Sequence, residues 1–207
     1  MLIAEQLVLL CIDSRTGALE IAHDRADIDH LAAAALVLDL AERRHLRYNA
    51  GYVALDADLP INHPQLVAAE RVLAGFGSGL ALEAAIELIE ARITSLAEGL
   101  LESLFRRDVL HRQRSAWLPW AAKRYPLRSL QAHNEAIQEI RNAASLTPVS
   151  TLRALGLLIL VEGAGRLAAV LDASGHERAT RRLDLIGRNH TSGEQGLLAQ
   201  LRRFVLE

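Results

Sequence analysis

Residues 98–127 read EGLLESLFRRDVLHRQRSAWLPWAAKRYPL, and the pattern changes character partway through. Leu96, Leu100, Leu101, Leu104 and Phe105 recur at three- and four-residue spacing, the stripe of a helix that buries one face. This predicts a helix over 94–107. From Val109 the helical period stops. No Asp or Glu occurs between Asp108 and Glu135, whereas Arg112, Arg114, Lys123, Arg124 and Arg128 all do. Trp117 and Trp120, the two tryptophans of the chain, fall in the same span with Leu118 and Pro119 between them. The order is basic, aromatic, basic. It predicts a β-hairpin over about 109–126, with Arg112 and Arg114 on one strand, Lys123 and Arg124 on the other, and a tip at 116–122.

Composition decides what surrounds this segment. The chain has 207 residues, of which 51% are hydrophobic and only 4% aromatic. Such a chain is too apolar to be disordered, and its core must be built from Leu, Ala, Ile and Val. Leu and Ala favour helices, so the expected fold is mainly α: a single-domain helical bundle over 1–207 with the hairpin projecting. The formal net charge is −2. Without the five bases of the acid-free span, the chain keeps 18 bases against 25 acids, a net −7. The span is therefore a local cationic patch on an acidic body. One cysteine, Cys11, rules out an internal disulfide and a multi-cysteine metal site, which fits a reducing cytoplasm. The apolar stretch 1–11 carries Glu5 and has no basic residue before it, unlike a signal segment. The stretch 152–171 contains Arg153, Glu162 and Arg166, so no clean membrane span is expected there.

Further elements follow from local signals. Residues 4–10 predict an amphipathic helix, closed by the turn Asp13-Ser14-Arg15-Thr16-Gly17. Asp27 or Asp29 is placed to cap a helix through 31–40, and Arg43 and Arg44 suit its C-terminal end. Residues 46–55 predict a short hairpin turning at Asn49-Ala50-Gly51. Helices are expected over 64–74, 81–91, 131–144 and 194–205, with further starts at Thr147-Pro148 and at a Ser174 to Glu177 capping box. The glycines at 75–79 have no Lys-Ser/Thr after them and read as a connection rather than a phosphate loop.

The hairpin has a physical use. Tryptophan favours the lipid–water interface, where its ring is half buried and its N–H stays wet. Bases behind it meet lipid phosphates, each contributing roughly 1 kcal/mol near an anionic surface. That suffices for reversible docking. The plain alternative is that both rings pack into the core or a second subunit. A winged-helix nucleic-acid module also pairs a helix with a basic hairpin, but Trp-Leu-Pro-Trp offers little to base edges, and Glu98 and Glu102 spoil the helix face. An adaptor that only oligomerises through the hairpin is the other rival. An enzyme is not expected: the eight histidines show no metal-site spacing, His30 beside Asp27 reads as a surface pair, and no cofactor motif occurs.

The stretch 98–127 resembles the Golgi phosphoprotein 3 family, without gaps from Val109-Leu110 to Pro126-Leu127. Residues 4–10 with Asp13 and Thr16-Gly17 are similar to that family's opening helix and turn, and 34–41 to its alanine-rich helix, with Asp39 where the family favours Glu. The resemblance implies a central bundle of hydrophobic helices ringed by amphipathic ones. It also implies a peripheral membrane protein on the cytoplasmic face that binds phosphatidylinositol 4-phosphate, self-associates through the hairpin and retains membrane-protein clients. The implied headgroup pocket of one tryptophan and three arginines falls here on Asp24, Ala33, Thr94 and Ala97, so none of the four is kept. Arg25 and Arg92 stand nearby as substitutes. The Ala, Leu and Arg richness suggests a bacterial member, for which generic anionic lipid is the expected target. The expected membrane-inserting residues are thus Trp117, Leu118 and Trp120. The expected phosphate-binding residues are Arg112, Arg114, Lys123, Arg124, Arg25 and Arg92.

Overall fold

The computed structural model describes residues 1–22, 27–56, 60–76, 79–111, 123–145, 151–186 and 192–206. In chain order these form α1 (Ile3–Leu10), α2 (Ile28–Glu42), β1 (Leu46–Asn49), β2 (Tyr52–Leu55), α3 (Pro64–Ala74), β3 (Leu80–Ala81) and α4 (Leu82–Arg92). There follow α5 (Leu96–Arg106), α6 (Leu130–Ala144), α7 (Leu152–Gly163), α8 (Leu167–Val170), α9 (Ala173–Leu185) and α10 (Gly193–Leu206). The fold is mainly α, as expected.

A helix that is apolar all round has no face for water and must be buried. Residues 31–40 of α2 and 154–161 of α7 are such runs, and every one of these residues is buried. They pack on each other and on α1, which makes the centre. Helices α4, α5, α6 and α10 bury one face against this centre and leave the other exposed. Each fully buried Leu contributes about 1.5–3 kcal/mol, and α2 alone supplies Leu31, Leu36, Leu38 and Leu40.

Helix α1 departs from the amphipathic expectation, because all eight of its residues are buried, Glu5 and Gln6 included. Eight residues are too few to float on a core, so the helix is sunk into it and its polar groups find partners inside. Asp39 of α2 closes its N-terminus. Its two carboxylate oxygens accept from the Ile3 and Ala4 N–H groups at 2.8 and 3.0 Å. Burial nonetheless pushes the Asp39 carboxyl up to about 6, against those hydrogen bonds and the charge of Arg153. Gln6 is held by Glu139 and Arg153.

Asp27 caps α2 by accepting from the Asp29 N–H at 2.8 Å, while Asp29 caps a different helix by accepting from Ala97 N at 2.8 Å at the start of α5. The hairpin expected over 46–55 is present, pairing Leu46 with Leu55 and Asn49 with Tyr52. Its two-residue turn has positive φ at Ala50 and Gly51, the arrangement that matches strand twist. The short strand β3 adds to β2; two residues carry no readable period in sequence. Helix α7 begins at Leu152 with Thr151 as its cap, since Thr151 Oγ1 accepts from Ala154 N, and Thr147-Pro148 lies outside the described residues. The capping box expected from Ser174 to Glu177 does not form. Helix α9 is capped by Asp172, which accepts from Gly175 N at 2.6 Å, and Ser174 merely donates to that same carboxylate. A carboxylate two residues earlier outcompetes the hydroxyl.

Candidate membrane-contact site

The acid-free span leaves the helical body where α5 ends and returns just before α6. Its two ends run antiparallel. Leu110 bridges Leu127, His111 N donates to Pro126 O at 2.8 Å, and Arg128 N donates to Val109 O at 2.9 Å. Val109, Leu110 and Tyr125 are buried, so this root is seated on the core. The turn after α1 holds it from the other side, with Tyr125 N donating to Gly17 O at 2.6 Å. Gly17 has φ +67°, and a Cβ there would meet the Pro126 nitrogen at 2.7 Å. The turn that closes α1 is thereby keyed to the root by a glycine that no other residue replaces without strain.

Of the expected site residues, Arg112, Arg114, Trp117, Leu118, Trp120 and Arg25 lie outside the described residues, as does Asp24. Lys123 and Arg124 stand at the returning end. Both are engaged: Lys123 pairs with Glu98, and Arg124 donates to Thr16 O at 3.1 Å. Arg128 pairs with Asp108 just beyond the root. These pairs are about half exposed or more, a class that contributes about 0–1 kcal/mol. Arg92 ends α4 and is exposed.

The positions that the family resemblance assigns to a headgroup pocket look different. Ala33 is fully buried in α2, and Ala97 is buried at the start of α5 with its N–H on Asp29. Thr94 is exposed. An acidic side chain, rather than a cationic one, organises this spot.

A second cluster, which sequence reading missed, surrounds Glu5. Its carboxylate accepts from Leu2 N at 2.9 Å, Ser103 Oγ at 2.7 Å and the Arg107 guanidinium at 2.7 Å, with His63 Nε2 at 3.3 Å. Burial pushes Glu5 up, but the His63, Leu2 and Ser103 hydrogen bonds and the Arg107 charge outweigh it and hold the carboxyl at about 2. Serine, histidine and glutamate together suggest a nucleophile triad, but the geometry is wrong for one. Ser103 donates to Glu5, and the same His63 nitrogen faces both Ser103 and Glu5. No relay orders the three. His30, paired in sequence with Asp27, instead meets Glu90 at 2.7 Å and stacks near Phe204. Burial pushes the Cys11 thiol up to about 12, which leaves it inert. Among the described residues no group of three or more His, Cys, Asp or Glu is placed to hold a metal ion.

The sequence matches a family model, Golgi phosphoprotein 3 (GPP34), over residues 3–206. The chain belongs to the Golgi phosphoprotein 3 family. A search of curated proteins finds no match. The positions that the resemblance assigns to a headgroup pocket carry no cation at 33, 94 or 97.

Proposed function

We propose that this chain is a peripheral membrane protein that docks on anionic phospholipid from the cytoplasmic face through the acid-free span. The observation that carries the reading is the composition of that span: its bases flank Trp117 and Trp120, and no carboxylate lies between Asp108 and Glu135. The seated root supports it, since it fixes both ends of the span to the helical body. Family membership supports a membrane-associated role. Among the described residues no helix is long and apolar enough to cross a membrane, so contact from one side suffices.

Lipid specificity follows from charge in this reading. Arg112, Arg114, Lys123 and Arg124 supply about 1 kcal/mol each at most near an anionic surface. Lys123 and Arg124 must first give up their present partners, so their share is smaller. Arg25 and Arg92 are secondary contributors. Phosphatidylinositol 4-phosphate then acts through its charge, because the implied arginine positions carry Ala33, Thr94 and Ala97 and the Asp29 carboxylate binds the Ala97 N–H beside them. Self-association and a membrane-protein client are further roles of the same docked state.

Vesicle sedimentation of the wild type and of Trp117→Ala with Trp120→Ala tests this. Wild type is expected on phosphatidylserine vesicles and hardly on phosphatidylcholine, and the double variant loses binding while keeping every base. Undiminished binding by the double variant would sink the insertion step. Selectivity for phosphatidylinositol 4-phosphate at equal vesicle charge would sink the charge-only account. Tight binding to duplex DNA that survives the double substitution would favour the winged-helix rival.

A further inference from the structure

The proposed docking leaves unused a cleft of about 440 Å³ at the opposite ends of α2 and α5 from the implied headgroup pocket. Its lining includes Leu2, Glu5, Arg43, Ile61, His63 and Arg107. Arg43 is the residue that ends α2, and Arg107 the one that ends α5. Two helix ends therefore bring two guanidinium groups to one hollow. The volume lies in the range of small-molecule sites.

The charge facing this hollow is positive. Glu5 is the single acid among the described lining residues, and it is fully buried with both oxygens already occupied. It neutralises one arginine from below and presents nothing outward. Arg107 spends one N–H group on Glu5 and stays about half exposed, so its remaining donors are available. Arg43 is exposed and has no side-chain partner among the described residues. The two helix C-termini oppose an anion, but each carries only about half a unit of negative charge, spread over its last turn. The Arg43 guanidinium outweighs the partial charge of its own helix end, while Arg107, paired with Glu5, offers hydrogen-bond donors rather than net charge. His45 also borders the cleft, with Nδ1 on Glu70 at 3.3 Å, and His63 Nδ1 is buried without a hydrogen-bond partner. Apart from Asn62 the rest of the described lining is apolar, including Leu2, Ile61 and Leu66.

We propose that this cleft binds an oxyanion carried on a compact apolar body, its carboxylate or phosphate monoester gripped by Arg43 and Arg107 and its body resting on Leu2, Ile61 and Leu66. Such a group comes either from a soluble metabolite or from a lipid headgroup with one ester-linked phosphate. The proposal does not depend on the membrane reading, since it uses neither tryptophan.

The test uses the full chain with phenyl phosphate and octanoate as soluble probes, phenol and octanol as neutral counterparts, and calorimetric titration as the readout. The anions are expected to bind, the neutral counterparts at least about tenfold more weakly, and Arg43→Gln to weaken the anions by about tenfold or more. Arg43 is exposed, so this variant is expected to fold, and circular dichroism checks it. Arg107→Lys, which keeps a cation beside Glu5 but loses the guanidinium fork, should weaken the same probes. A second arm measures phosphatidic acid vesicles in the Trp117→Ala, Trp120→Ala background. Binding there that Arg43→Gln removes assigns the oxyanion to a headgroup, and binding confined to the soluble probes assigns it to a metabolite. If no anion binds below about 10 mM and Arg43→Gln leaves the vesicle arm unchanged, the site does not exist. Equal binding of the anions to wild type and Arg43→Gln overturns it as well.

Discussion

The carboxylates of Glu5 and Glu98 each meet a base, and the two pairs live in different worlds. Glu5 is fully buried, and Ser103, His63 and Arg107 converge on it from distant parts of the chain, with the Leu2 N–H adding a local bond. Glu98 is about half exposed and meets Lys123 across the surface. The first contact is inseparable from the fold, because removing any partner strands charge inside the core. The second is exchangeable, because water can replace either side and a lipid phosphate can take the place of Glu98. The molecule thus keeps its strong electrostatics in the centre and its weak electrostatics at the root of the cationic span. A surface meant to let go of its own body and take hold of another is served by weak pairs.

The contrast breaks most visibly in the core. Leu36 is fully buried in α2, and Leu36→Ala is expected to cost about 2–5 kcal/mol of unfolding free energy. Urea denaturation measures it. Vesicle binding per folded molecule should not change. A cost under about 1 kcal/mol would mean that the centre repacks freely and is not the rigid partner of the comparison.

Next in size is the response to acid. Asp39 and Glu5 are shifted in opposite directions, to about 6 and about 2. Raised Asp39 makes the folded state bind more protons than the unfolded one between about pH 6 and pH 4, so stability rises as pH falls through that window. Lowered Glu5 does the reverse: its stabilisation is complete above about pH 4.5 and is lost as pH falls toward 2. Each limb is on the order of 3 kcal/mol. Stability should therefore peak near pH 4 to 5. Glu5→Gln should flatten the acid limb and Asp39→Asn the other, as read from urea midpoints across pH. A peak at pH 7 would contradict the burial assigned to Asp39.

These two carboxylates also mark where sequence reading ran out. The central helices were legible because an apolar run such as 31–40 has one physical solution, and the 46–55 hairpin because Asn49-Ala50-Gly51 suits one turn. The burial of Glu5 was not, since a helical period assigns a lone Glu to water and its partner Ser103 lies 98 residues on. The cleft was illegible for the same reason, as Arg43, His63 and Arg107 come together only when α2 and α5 are packed. One cap went astray by two residues, where Asp172 offers a better acceptor than Ser174. In the docking span, the charge pattern was plain, whereas the Glu98 and Thr16 partners of Lys123 and Arg124 were not.

The smallest effect sharpens the comparison furthest. Glu98→Gln removes an acid from beside the root and releases Lys123 from its pair. Both side chains are about half exposed, so stability should shift by less than about 1 kcal/mol in either direction. Docking should respond in the other sense. A charge near an anionic surface is worth about 1 kcal/mol, so freeing Lys123 should tighten phosphatidylserine vesicle binding by roughly three- to fivefold at low salt. The gain should fade as salt rises past physiological strength, because screening reaches an exposed charge first. A buried pair would give the opposite signature, a large loss of stability with no gain in binding. If Glu98→Gln leaves vesicle affinity unchanged, Lys123 does not face lipid, and the contact must rest on the bases nearer the tryptophans.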